Sequence, residues 1–278
     1  MTRFEMDCVV LSGKGAETYL QGQITQDVTE VAVGGSIDAF VLEPSGKVHS
    51  LVTVLRAESE FYLLIDSGYR DGLIERLERF SIRSKTEFDT VAATITSHEV
   101  QALSGEAATH VYRATKLIPL EFSISIGEPI EHLKDTNFEV IRGLRVSSCI
   151  PSMVDVLGQN VFPASFPALF ESAVSLKKGC YTGQELVARM DSRGSSAPLV
   201  FRGFRPYGET ALYRDMIPQS LELRYKDDKA GVLTSLVFDE DNKLVVAGGY
   251  LKRTVRLDVT ETLGIVGTDL SLEPCFCL

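Results

Sequence analysis

Short apolar runs bounded by turn residues mark the first hundred residues as strands with few helices. Positions 36–42 and 48–56 read as two strands, with Pro44-Ser-Gly46 as the turn between them. Positions 61–65 read as a third strand. Near 69–80 the period changes, and Leu73, Ile74, Leu77 and Phe80 form the stripe of an amphipathic helix. Strands near 85–88 and 91–97 follow. At the start of the chain, Ser12 is placed to cap a short helix carrying Ala16, Tyr19 and Leu20 on one face. Mixed strands with helices on one side predict an α+β fold rather than a doubly wound sheet. No G-x-G-x-x-G follows a strand, so a dinucleotide site is unsupported.

The middle of the chain is less regular. Strands are expected near 110–114 and 121–126, and Thr136-x-x-Glu139 has the capping-box pattern of a helix through Phe138 and Ile141. Pro151, Pro163 and Pro167 mark an irregular stretch. After Pro198 the texture changes to short strands, at 199–205, 221–225, 231–238, 243–251 and 255–259, with Asp239-Glu-Asp-Asn242 as a hairpin loop. This last third is expected to form a separate small β-barrel or sandwich.

Composition narrows the classes. The chain has 278 residues, 44% hydrophobic and 24% charged, enough for a core without disulfide staples. Its net charge of −10 disfavours broad binding to a phosphate backbone. No apolar run approaches the ~18 residues that cross a bilayer, and Met1–Asp7 carries acids and no apolar leader core, so a cytoplasmic protein is expected. Five cysteines at wide spacing argue against a disulfide framework, and the His and Cys spacing predicts no metal site.

Chemistry concentrates in one stretch, Lys177-Lys-Gly-Cys-Tyr-Thr-Gly-Gln-Glu-Leu-Val-Ala-Arg189. Thr182-x-x-Glu185 is a capping-box pattern, so a helix is expected to begin near Gly183, with Leu186, Val187 and Met190 on its apolar face. Cys180 then stands two residues ahead of the cap, where the helix N-terminus and the two lysines favour a thiolate. The alternative is a small packing residue beside two turn glycines. Glu185 and Arg189 are four apart and can pair along the helix. Between 177 and 205 stand six basic residues, Lys177, Lys178, Arg189, Arg193, Arg202 and Arg205, against the acids Glu185 and Asp191. A basic island in an acidic chain reads as an anion site, or as a solvated face balanced by acids elsewhere.

Lys178-Gly-Cys-Tyr-Thr-Gly-Gln-Glu185, followed by Arg189, resembles the signature of the YgfZ family of folate-binding proteins, relatives of the aminomethyltransferase of the glycine cleavage system. Tyr19-Leu-Gln-Gly-Gln-Ile-Thr-Gln-Asp27 resembles that family's N-terminal motif, and Pro44-Ser-Gly-Lys47, Ser81-Ile-Arg-Ser-Lys85 and Gly248-Gly-Tyr-Leu251 fall in the same order. The resemblance implies a three-domain ring. Residues 1–45 with 136–198 would form a first α+β domain, 46–135 a second and 199–278 a C-terminal β-domain, around a channel for tetrahydrofolate or a derivative. It implies support for the assembly or repair of iron–sulfur clusters in client enzymes, the client enzymes or assembly proteins being transient partners; from the charge and the apolar runs, neither nucleic acid nor membrane is expected as a partner. Cys180 would be the reactive thiol. Lys178, Gly179, Tyr181, Gly183, Gln184, Glu185 and Arg189, with Gln21, Gln23, Thr25 and Asp27, would be cofactor-binding.

The transferase relatives carry paired aspartates where His49 and Ser50 stand here, so one-carbon transfer loses its expected carboxylate. His49 is a candidate acid or base, and equally an ordinary polar residue. His98, His110 and His132 have no partner pattern, and Cys275-Phe-Cys277 reads as packing. Three functions stay open: a folate-binding accessory protein for iron–sulfur enzymes, a folate-dependent aminomethyl or methyl transferase, and a folate sensor or scaffold without chemistry.

Overall fold

The alternation in Phe4, Met6, Cys8 and Val10 is that of a strand, and in the computed structural model residues Thr2–Ser12 form β1. The structure describes residues 2–97, 112–119, 121–126, 134–135, 138–192, 197–257 and 261–275. Helix α1 (Ala16–Gln21) follows, then β2 (Ser36–Leu42), β3 (Val48–Arg56), β4 (Glu60–Ile65), α2 (Arg70–Glu78), β5 (Glu87–Ser97), β6 (Phe122–Ile126) and the short β7 (Lys134–Asp135). These strands form one sheet in the order β2-β3-β4-β1-β5-β6, antiparallel throughout, with β7 pairing parallel to β1. Strand β1 lies inside the sheet. Cys8, Val9 and Leu11 are all fully buried, so both of its faces are covered.

Four helices come next: α3 (Phe138–Ser147), α4 (Met153–Val156), α5 (Pro167–Ala173) and α6 (Gln184–Ser192). Strands β8 (Leu199–Tyr207), β9 (Glu222–Tyr225), β10 (Asp228–Phe238), β11 (Leu244–Lys252), β12 (Leu263–Ile265) and β13 (Ser271–Pro274) close into a barrel in the order β10-β11-β8-β13-β12-β9. Phe204, Leu223, Leu263 and Leu272 are fully buried in its core. Closure removes the open edges that short strands would otherwise expose.

The chain divides into two compact units, one of residues 1–138 with 171–188 and one of 139–170 with 189–278. The sheet and the signature loop belong to the first, the barrel to the second. In the second unit α4 is anchored by a buried carboxylate. Asp155 accepts hydrogen bonds from the Ser152 N–H at 2.9 Å and from the Thr234 hydroxyl, while Tyr250 donates to the Asp155 carbonyl. Burial raises the Asp155 pKa against the pull of those donors. The expected boundary at 45/46 falls in the turn between β2 and β3, which are neighbours in one sheet.

The mixed α/β architecture and the C-terminal barrel agree with the pattern of the sequence, and several local expectations are corrected. Ser12 ends a strand, and the residue before α1 is Gly15, without a side-chain cap. The two strands near 85–97 are one, since nothing breaks the ladder to β1 between Glu87 and Thr96. Residues 255–257 lie outside any strand, with the Val255 N–H bonded to the Lys252 carbonyl, and the rest of the strand expected at 255–259 falls outside the described residues; β12 and β13 close the barrel. Cys149 is disulfide-bonded, whereas Cys8, Cys180 and Cys275 are free. Wide spacing in sequence excluded a framework of bridges but says nothing of which two thiols meet in space. Among the described residues no helix is long and apolar enough to cross a membrane, and no three His, Cys, Asp or Glu side chains cluster as metal ligands. The cap at Thr136, together with His98, His110, His132, Arg193 and Cys277, lies outside the described residues.

Candidate functional site

The two motifs, whose bonded residues are 152 to 157 positions apart, meet in the first unit, and Lys178 joins them. Its ammonium donates to the carbonyls of Gln21 at 2.6 Å, Ile24 at 2.9 Å and Gln26 at 2.9 Å. Three donors meet three acceptors, so the group is saturated inside the chain. It also lies 5.2 Å from the ring centre of Tyr181. Burial lowers the Lys178 pKa to about 8, opposed by the negative charge of Asp27. Backbone contacts run alongside. The Thr182 N–H donates to the Gly22 carbonyl at 2.9 Å, the Ser175 N–H to Thr25 at 3.0 Å, and the Gln26 amide to Ser172 at 2.8 Å.

Residues of the N-terminal motif bond chiefly to each other and to this loop. Gln21 donates to Asp27 Oδ1 at 2.9 Å and accepts from the Val28 N–H at 3.0 Å. Thr25, fully buried, donates to the Ala173 carbonyl and accepts from the Phe40 N–H at 2.9 Å. Asp27 caps the 3-10 turn Val28–Glu30. Hydrogen bonds from Thr29, then from Gln21, and the charge of Lys178 hold its carboxyl below the ordinary range. A cavity of about 640 Å³ opens beside this loop, lined by Gln26, Asp27 and Arg113 among others.

Helix α6 begins at Gln184, as the spacing predicts. The contacts at its start differ from a simple capping box. Gln184 Oε1 accepts from the Tyr181 N–H at 3.2 Å, and the Thr182 hydroxyl is turned to the Gly22 carbonyl at 3.4 Å. Gly183 has φ +82°, and a β-carbon there would lie 2.6 Å from the Glu43 carbonyl oxygen. Only glycine suits that backbone and that approach. Gly46 answers it from the turn after β2, at φ +78°, with a β-carbon 2.9 Å from that of Leu186. The Pro44-Ser-Gly-Lys47 motif therefore packs against the signature loop. At Gly179 a β-carbon would meet nothing.

Cys180 is a free and exposed thiol on this braced loop. Tyr181 beside it is buried, and desolvation pushes its phenol up to about 12. Glu185 and Arg189 are exposed on α6. The basic island is divided: Lys177 and Lys178 lie in the first unit, Arg189, Arg202 and Arg205 in the second.

Two residues missed by sequence reasoning complete the neighbourhood. Arg76 on α2 is almost fully buried and donates to the Leu42 carbonyl through Nε at 3.0 Å and also through Nη2, and to Gln23 Oε1 at 3.2 Å. Its guanidinium sits 4.3 Å from the ring centre of Phe80. It occupies the stripe of Leu73, Leu77 and Phe80, so an arginine on an apolar face was the signal available. Glu43 lies 3.9 Å from both Arg76 Nε and His49 Nε2. Burial holds His49 below its ordinary pKa, with Glu43 opposing, and its Nδ1 is 2.8 Å from the Ser50 hydroxyl. Buried Gln23 thus ties Arg76 to the signature loop.

The class follows from the fold. The crystal structure of aminomethyltransferase T of the glycine cleavage system from Bartonella henselae superposes with a TM-score of 0.74, covering 98% of this chain and 84% of that one at 15% identity. The chain has the aminomethyltransferase fold.

Within it, sequence comparison bears out the resemblance carried by the signature. The tRNA-modifying protein YgfZ of Klebsiella pneumoniae is 26% identical over 278 residues, covering 88% of this chain and 83% of that protein. YgfZ of Shigella sonnei is 24% identical over 276 residues. An uncharacterized protein of Haemophilus influenzae is 26% identical over 250 residues, covering 85% of this chain and 83% of its own. No family model matches the chain.

Proposed function

We propose that this chain is a tetrahydrofolate-binding accessory protein that supports the assembly or repair of iron–sulfur clusters in client enzymes. The observation that carries the reading is an exposed, free Cys180 on a loop braced from three sides, by Lys178, by the Gly22–Thr182 backbone contact and by the Gly46–Gly183 approach. A thiolate is the soft ligand that iron takes in clusters. One thiol supplies one ligand, so the remaining ligands come from the client. The three-domain division and the cofactor role of Arg189 are carried with this reading from the family resemblance.

The residues of the first unit fit a folate in part. Glu43 offers a carboxylate of the kind that pairs with pterin N–H groups, standing in for the aspartates absent at His49 and Ser50, and exposed Lys177 suits an anionic tail. Tetrahydrofolate, when bound, supplies one-carbon chemistry. The chain's own residues hold and orient it. Lys178, Gln21, Thr25 and Asp27 act by keeping the loop in place. The fold itself favours a second reading, a folate-dependent aminomethyl or methyl transferase. The name of the YgfZ relatives concerns tRNA. With a net charge of −10 here, a client enzyme is the better candidate for touching tRNA.

Titration with reduced folates tests the ligand. Cys180→Ala tests the role, because it should leave folate binding intact and lower the activity of iron–sulfur enzymes in cells lacking the native gene. Full restoration of those activities by the variant rejects the thiol and leaves a scaffold. Absence of binding at millimolar reduced folate rejects the ligand.

A further inference from the structure

A second cavity, of about 540 Å³, belongs wholly to the barrel unit. It sits where β8 begins and β11 ends, an end of the barrel clasped by the hydrogen bond from the Arg253 N–H to the Pro198 carbonyl. Barrel mouths are common places for small-ligand sites, and this volume is in their range. Its walls are of two kinds. Val200, Leu251, Val255 and Leu257 give an apolar surface, closed on one side by Ala164 and Pro167. The polar part is cationic. Arg202, Lys252, Arg253 and Arg256 line the cavity, and among the described residues no carboxylate does.

Arg202 is the informative member. Positions 200, 202 and 204 lie on one face of β8. Phe204 on that face is fully buried in the barrel core, so Arg202 continues the interior face towards the mouth. The side chain is half-buried, and among the described residues neither Arg202 nor Arg256 has an acidic partner within ion-pair distance. Desolvation lowers the Arg202 pKa. A guanidinium taken partly out of water without a counter-charge is costly, and an oxyanion offsets that cost through paired hydrogen bonds. Lys252 already donates to the Lys229 carbonyl and is not assigned to the ligand.

We propose that the barrel mouth is a binding site for a small amphipathic oxyanion, a carboxylate or phosphate on an apolar body. Arg202 holds the oxyanion, Arg256 faces it from the rim, and Val200, Leu251 and Leu257 receive the apolar part. The assignment does not depend on the folate reading.

The test is a fluorescence titration of the full chain with anilinonaphthalene sulfonate. One saturable site is expected, with displacement by both phenyl phosphate and benzoate. The more effective competitor names the oxyanion. R202Q is expected to weaken the probe at least about tenfold, as loss of a charged hydrogen-bond partner does. R256Q, at an exposed position that does not threaten folding, should weaken it about threefold. If R202Q fails to fold, R256Q decides. Unchanged affinity in the folded variants overturns the site. So does equal binding of neutral phenylnaphthylamine.

Discussion

Replacing Lys178 by alanine probes the structural hypothesis most directly. The variant removes three charge-assisted hydrogen bonds and leaves the carbonyls of Gln21, Ile24 and Gln26 without their donor. Such bonds are worth ~1.5–3 kcal/mol each. The site is half-buried, so water replaces part of the loss, and about half the sum is expected to survive, ~2–4 kcal/mol. For a chain of this size that is a fall in Tm of ~4–16 °C. Thermal unfolding followed by circular dichroism measures it. The alternative view, that Lys178 points at a ligand, predicts the opposite pattern: an unchanged Tm and weakened folate binding. A fall of less than about 1 °C would refute the bracing role.

The same residue has a pH signature. Its pKa is lowered from 10.5 to about 8. Between those values the folded chain has released a proton that the unfolded chain still holds. The unfolded state then binds more protons, so stability rises with pH across that window. The alanine variant lacks this gain. The stability gap between wild type and variant should therefore widen from pH 8 towards pH 10. A gap that narrows contradicts the burial argument.

Other positions give sharper contrasts. Gly183→Ala should cost ~2–4 kcal/mol, from the left-handed backbone and the close Glu43 carbonyl, whereas Gly179→Ala should stay within ~0.5 kcal/mol; urea unfolding compares them. Iodoacetamide should label Cys180 before the other free thiols, because Cys8 is buried with its thiol pushed up to about 12 and Cys275 is buried with its pKa also raised; peptide mapping after brief labelling reads the order. Arg76→Ala should destabilise by ~3–5 kcal/mol, as removal of a buried charged partner does, and Arg76→Lys should recover only part of that, since an ammonium lacks the fork that spans Leu42 and Gln23.

How much of this was legible depends on whether the cause was local. Strands 36–42 and 48–56 are legible to the residue because their apolar runs and the turn chemistry of Pro44-Ser-Gly46 sit within a few positions of each other. The helix at α2 and the start of α6 were readable for the same reason. Strand β1 is less legible although Phe4 to Val10 alternate, because its pairing partners β4 and β5 lie far along the chain and no turn marks its start. Strands β12 and β13 are three and four residues long, too short for a period to declare itself, and they owe their existence to barrel closure. The roles of Lys178 and Arg76 were invisible for a different reason: each depends on carbonyls supplied from far along the chain.

That difference bears on what a signature motif records. Lys178, Gln21, Thr25, Asp27 and Gly183 were chosen as residues that could touch a ligand, and the contacts described for them run mostly within the chain. Their chemistry is real, but much of it is spent on holding two loops together. Lys178 has all three donors engaged by carbonyls of the chain, so the case for Cys180 rests on its placement. An exposed thiol on a loop fixed by buried hydrogen bonds keeps its position when a partner approaches, and position is what transient ligation of a metal cluster requires. On the function proposed here, Cys180 would be the working residue and the residues around it the frame that presents it.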